Sequence, residues 1–135
     1  MKLTTKSEYA CLALLDLSEQ YKKGLIRTED IARRWSIPKK YLEQILLMLN
    51  KAGYVRSKRG NVGGYELLKK PEEISVAEII RLMDGPLAPV ESASTYFYSH
   101  TPIEQSKALV HVMRDIRNYA SRILEKTTFA DLKGA

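Results

Sequence analysis

The sequence is poor in the residues that staple or metallate small folds: it holds one cysteine, Cys11, in 135 residues, and its only histidines are His100 and His111. One thiol cannot form an intrachain disulfide, and no Cys/His set has the spacing of a zinc site. No apolar run approaches the roughly 20 residues of a membrane span, and the opening Met-Lys-Leu-Thr-Thr-Lys lacks the apolar core of a secretory signal. The expectation is a cytoplasmic protein with no membrane partner. No nucleophile, base and orienting group fall in one place, and no glycine-rich stretch leads into a helix as phosphate-binding motifs require, so an enzyme is not expected. Internal repeats and low-complexity segments are also missing.

What is present suits one compact domain with an appended dimerisation element, at 44% hydrophobic content. The net charge of +6 is unevenly divided. Residues 1–70 carry 15 Lys and Arg against 7 Asp and Glu, a balance of +8, whereas residues 71–135 carry 7 against 9, a balance of −2. A polyanionic partner for the first half, and a different task for the second, follows from that asymmetry.

Spacing divides the chain into elements. Ala10, Ala13, Leu14, Leu17 and Tyr21 recur at three- and four-residue steps, predicting an amphipathic helix from Ser7 to about Lys22, ended by Gly24. Thr28 reads as the N-cap of a second, short helix reaching Trp35, with Glu29 and Asp30 in its first turn. Ser36-Ile37 is then a turn, and Pro38 suits the first position of a third helix whose inner face is Leu42, Ile45, Leu46 and Leu49, stopped by Gly53. Tyr54–Lys58 and Tyr65–Leu68 read as two strands joined by a basic, glycine-rich tip. Ser75-Val-Ala-Glu78 is a capping box opening a fourth helix with Val76, Ile79, Ile80 and Met83 on its apolar face, closed by Gly85-Pro86.

An extended loop with Pro86 and Pro89 follows, and then a long helix from about Ile103 to Glu125. Leu109, Val112, Ile116, Tyr119 and Ile123 alternate by three and four along it, a two-heptad stripe that wants a partner: a second copy, or the chain's own first unit. Thr128 caps a short terminal helix ending near Leu132. The expected fold is mainly α with a small β-hairpin wing, a winged helix-turn-helix domain over 1–85. It is followed by a sensor-type loop over 86–106, a dimerisation helix over 103–125, and a short C-terminal helix and tail over 126–135.

Three helices with a tight turn between the second and third, followed by a hairpin, is the element order of a winged helix-turn-helix, which inserts its third helix in the major groove of double-stranded DNA. The leading end of that helix carries Lys39 and Lys40, suited to phosphates, Gln44, whose amide matches adenine, and Glu43, which accepts from the cytosine amino group. Tyr41 is placed to contact a phosphate or to pack on the first helix. Thr28, at the start of the second helix, belongs to the same candidate surface. At the wing tip, Lys58, Arg59, Gly60 and Asn61 combine charge with a backbone free to come close to a ligand, and an arginine there fits a narrow minor groove.

Tyr41-Leu42-Glu43-Gln44, Lys51-Ala52-Gly53-Tyr54-Val55-Arg56-Ser57 and Arg59-Gly60-x-x-Gly63-Gly64-Tyr65 closely resemble the Rrf family of bacterial transcription regulators, the IscR, NsrR and CymR group. The resemblance extends to Leu3-Thr4-Thr5-Lys6, to Gly85-Pro86-Leu87-Ala88-Pro89-Val90 and to Thr127–Leu132, nearly the whole chain. It implies a homodimer on a two-fold symmetric operator, with Tyr41, Glu43 and Gln44 in the major groove and Arg59 in the minor groove. Many members of the family carry three cysteines in the loop that ligate an iron-sulfur cluster. Here Ser92, Ser99 and Ser106 stand where the resemblance places them, seven residues apart. Hydroxyls are poor ligands for a centre held by thiolates, so this chain is expected to carry no cofactor. Two origins stay open: Cys→Ser replacement of a cluster-binding parent, or natural divergence toward a cluster-free regulator controlled by a protein partner or small molecule. Glu8 stands where some relatives supply a fourth ligand to the partner's cluster, although a carboxylate at a helix start is favourable without metal. His100 is a spare ligand or a surface residue, and Cys11 reads as core. A winged-helix module that binds protein instead of DNA is the rival reading.

Overall fold

The computed structural model describes residues 2–58 and 63–134. Helix α1 (Thr5–Glu19) opens earlier than its spacing predicts, because the Thr4 hydroxyl accepts the Ser7 N–H at 3.2 Å and caps it. It also closes before Lys22: residues 20–23 turn away, with Lys22 left-handed at φ 64°, although Tyr21 continues the apolar spacing. Helix α2 (Thr28–Trp35) departs from expectation at its start. Arg27, not Thr28, is the N-cap residue, and no side chain caps the helix; Thr28 is its first helical residue, with Glu29 and Asp30 in the first turn as expected. In the same way Pro38 is the N-cap of α3 (Lys39–Lys51) rather than its first residue. The ring's fixed φ, here −57°, suits either position.

Between these helices lies a turn of one left-handed residue, Ser36, at φ 53° and ψ 43°. Ile37 follows, buried, its N–H donating to the Ala32 carbonyl at 3.0 Å. Strands β1 (Val55–Lys58) and β2 (Gly64–Leu67) pair antiparallel, Val55 opposite Leu67 and Lys58 opposite Gly64. Tyr54 and Leu68 flank this ladder, joined by the Leu68 N–H to the Tyr54 carbonyl at 2.9 Å. A third line of pairing is absent from the sequence pattern: Ile26 exchanges both backbone bonds with Tyr65 at 2.8 Å. That approach requires glycine next door, since a Cβ on Gly64 would lie 2.4 Å from the Ile26 carbonyl oxygen.

The Ser75 capping box is formed as predicted, with Glu78 returning to the Ser75 N–H at 2.8 Å, and α4 (Val76–Asp84) ends at Gly85. The loop that follows contains 3-10 turns at Glu91–Ala93 and Pro102–Gln105. Helix α5 (Lys107–Lys126) therefore starts later than residue 103: the proline opens a separate turn, and the Ser106 hydroxyl caps α5 by accepting from the Leu109 N–H. Helix α6 (Phe129–Leu132) has its own capping box at Thr128.

One core joins Leu14 and Leu17 of α1, Ile31, Leu42, Ile45, Leu46 and Leu49 of α2 and α3, Val55 and Leu67 of the hairpin, Ile79 and Met83 of α4, and the fully buried Phe129 of α6. The Phe129 N–H donates to the Ile74 carbonyl and the Val76 N–H to the Thr127 carbonyl, so the end of the chain closes the domain beside the start of α4. One face of α5 lies on the same body, through Val110 and through Leu124 against Ala77, Ile80 and Leu87. The first helix is tied to the second by a single buried carboxylate. Asp16 accepts from Arg34 Nε at 2.7 Å, Arg34 Nη2 at 2.8 Å and Trp35 Nε1 at 2.9 Å. Asp16→Ala removes the acceptor from all three donors, and it is expected to lower unfolding free energy by about 2 kcal/mol, read as a shifted urea midpoint at unchanged slope. A midpoint equal to that of the parent chain would disprove this role.

Candidate nucleic-acid interface

The periodicity of α3 separates its faces cleanly. Leu42, Ile45, Leu46 and Leu49 are buried, and Lys39, Lys40, Tyr41, Glu43 and Gln44 are all exposed on the side away from the core. The same outer face includes Leu47, 51% exposed. Nothing in the sequence marks it as outward, because residues 45–49 are apolar without interruption, which erases the contrast that signals such a position.

Tyr41 resolves one of its two expectations: its ring meets Tyr9 of α1 edge-on, with centroids 5.5 Å apart and an interplanar angle of 78°, while the side chain stays partly open to solvent. Around it the charges are paired rather than free. Lys39 Nζ lies 2.9 Å from Glu29 Oε1 and 4.0 Å from Glu43 Oε1, and Arg27 Nε lies 3.4 Å from Glu29 Oε2. The hydrogen bond to Lys39 pulls the Glu29 carboxyl below its usual range, and its counterpart raises Lys39. Lys40 forms no ion pair among the described residues. Thr28 is half-buried beside Glu29. The sequence marks Glu29 only as a carboxylate favoured by the helix dipole, and no spacing or motif marks Arg27.

The hairpin packs beside α3, where the Asn50 amide of α3 donates to the Ser57 hydroxyl of β1 at 3.4 Å. Burial raises the Tyr65 phenol of β2, and the charge of Glu43 adds to the shift. Lys58 ends β1, exposed; Arg59, Gly60 and Asn61 lie outside the described residues.

The loop serines are in different settings. Ser92 is buried and its hydroxyl shares a 2.5 Å hydrogen bond with that of Thr101. Ser99 is exposed, its N–H reaching the Glu91 carbonyl at 3.4 Å, and the Ser106 hydroxyl is committed to capping α5. His100 is exposed and pairs with Glu104, which also accepts from the Tyr98 hydroxyl. Glu8 is exposed in the first turn of α1. Among the described residues no group of three or more His, Cys, Asp and Glu side chains converges as a metal site. On α5, Leu109, Val112, Ile116, Tyr119 and Ile123 are between 46% and 61% exposed, on the side opposite the face that packs on the body.

A helix-turn-helix whose third helix offers a polar face beside an antiparallel hairpin defines a winged-helix DNA-binding protein. Residues 3–135 match the model of a family described as "Rrf2: Iron-dependent Transcriptional regulator", and the chain belongs to that family. It is thus a DNA-binding transcription regulator in a family of regulators, not of enzymes. It is similar to the HTH-type transcriptional regulator CymR of Bacillus subtilis, 32% identical over 98% of this chain and 89% of that one. Among solved structures it is similar to oxidised CymR of Staphylococcus aureus, with a TM-score of 0.82 and 30% identity over 100% of this chain and 98% of that one. It is also similar to IscR of T. potens, with a TM-score of 0.75 and 30% identity over 98% and 85%. The chain spans 66% and 82% of the length of two further curated relatives that it matches. No helix among the described residues is long and apolar enough to cross a membrane.

Cys11 packs against the core of α1, and burial, then the charge of Asp84, pushes its thiol up to about 11 from 9.0. Because the thiolate is the nucleophile, iodoacetamide at pH 8 is expected to alkylate the folded chain about a hundredfold more slowly than a urea-unfolded control. Equal rates by mass spectrometry would contradict that burial.

Proposed function

We propose that this regulator acts as a homodimer on a two-fold symmetric operator, its two α3 helices entering major grooves about one helical turn apart. The observation that carries the reading is the outward stripe of α5. Five large apolar side chains at heptad spacing, each about half exposed, form a seam that solvent does not favour and that a second copy of the same helix covers. In this reading Gln44 and Glu43 meet base edges, Tyr41, Thr28, Lys39 and Lys40 face the phosphates, and Lys58, Arg59, Gly60 and Asn61 of the wing reach the neighbouring minor groove. The unit over 1–85 reads DNA, the loop over 86–106 sets the state of the protein, and the long helix transmits that state as an angle between the two reading heads. Such work belongs in the cytoplasm. Ile116→Glu places a charge in the seam on both sides of the two-fold axis. It is expected to give a folded monomer by light scattering, with affinity for a palindromic duplex reduced to that for a half-site. A variant that stayed dimeric, or a parent chain that proved monomeric, would overturn the dimer.

The loop is read as cluster-free. Oxygen donors bind the soft iron of such centres weakly, Ser92 is already bonded to Thr101, and Ser106 caps a helix. Neither Glu8 nor His100 replaces the missing thiolates. Control through this loop then passes to a protein partner or a small molecule, in a chain that departs from the iron dependence in its family's description. Anaerobic reconstitution with iron and sulfide is expected to leave the chain colourless, and to colour the triple variant Ser92→Cys, Ser99→Cys, Ser106→Cys. Visible charge-transfer absorbance in the chain as it stands would refute the assignment.

A further inference from the structure

At the basic end of the proposed reading helix, Lys40 forms no ion pair among the described residues, whereas Lys39 is held. Arg27, Glu29, Lys39 and Glu43 form a line of alternating charge across the α2–α3 junction, with contacts of 3.4, 2.9 and 4.0 Å, and the four formal charges cancel. All four side chains are about half exposed or more, so the pairing adds little to stability. Its position is what gives it consequence. Glu29 puts a carboxylate at the N-terminal end of α3, where a duplex reader would gain most from positive charge and from the helix dipole.

We infer that Glu29 is a specificity-determining residue: it occupies Lys39 so that a random duplex gains nothing from that lysine, and only a site that seats α3 correctly draws it away. This rests on the reading of α3 as the major-groove helix. Non-specific affinity comes from phosphate neutralisation, each contact releasing condensed counterions and steepening the dependence of log K on log salt by about 0.9. A lysine held by an internal carboxylate adds no such contact to a badly placed complex. In the cognate complex Lys39 exchanges one anion for another, and Glu29 turns to Arg27, 3.4 Å away. The carboxylate thus lowers background binding while leaving the base contacts untouched.

The test compares two probes about three helical turns long: a mixed-sequence duplex, and one selected from a random pool by the unaltered chain. Glu29→Gln is expected to tighten the mixed-sequence duplex about three- to tenfold at low salt, to steepen its salt slope by about one, and to lower the ratio between the two affinities. Lys39→Ala should barely change that slope alone, and should remove the added unit in the Glu29→Gln background. A Glu29→Gln chain with unchanged slope and affinity, or one that weakens both duplexes equally as a lost brace would, overturns the inference. Gln44→Ala, measured on the selected duplex, separates the two levels. If it costs discrimination while Glu29→Gln changes nothing, only the inference about Glu29 falls; if it too is silent, the reading of α3 falls with it.

Discussion

The placement of α3 depends on one buried carboxylate. Asp16 sits midway along α1 and takes three donors from two consecutive residues at the end of α2, so it fixes both the distance and the roll of α2 against α1. Directly after Trp35 the chain must pass through a left-handed residue, Ser36, a conformation that disfavours any residue with a Cβ. It persists because both sides of the turn are held: Trp35 by Asp16, Ile37 by the core. With those ends pinned, α3 leaves the turn with Leu42 and Ile45 inward and Lys40 and Gln44 outward. The edge-on contact of Tyr9 with Tyr41 adds a second tie at the start of α3.

The charge distribution carries a related lesson. The first 70 residues keep their net basic excess, but five of their fifteen cations are paired with carboxylates of the same half: Arg34 with Asp16, Arg33 with Asp30, Arg56 with Glu66, and Lys39 and Arg27 with Glu29. A surface that carried every one of these cations free would hold any duplex tightly. In the proposed reading of α3, pairing them internally shifts the burden of recognition from charge to the geometry of Gln44, Glu43 and the wing. The second half of the chain follows the opposite logic. Helix α5 satisfies one face on its own domain and leaves another apolar and exposed, so its cohesion with the body and the proposed seam draw on different side chains.

Much of this was legible in the residues. The inner face of α3, the Ser75 capping box, the Thr128 cap, the hairpin and the α5 stripe all follow from local rules: which side chains repeat at three and four, and which hydroxyl meets the first orphan amides. The misses share a cause. Thr28 and Pro38 each suit two neighbouring positions at a helix start, and local preference cannot choose between them. Leu47 was hidden in a uniformly apolar run. The Ile26–Tyr65 pairing and the Asp16 triad join residues 39 and 18–19 positions apart, and no periodicity reports such distances.

The sequence by itself therefore determined the order of elements, their buried faces and the family's motifs, because these arise from interactions within a few residues of one another. Only the tertiary structure decided which lysines of the outer face of α3 are paired, how Tyr41 is held and which side of α5 is left open. Those outcomes depend on what each side chain meets after the helices pack, and charge in particular is settled by its nearest neighbour in space.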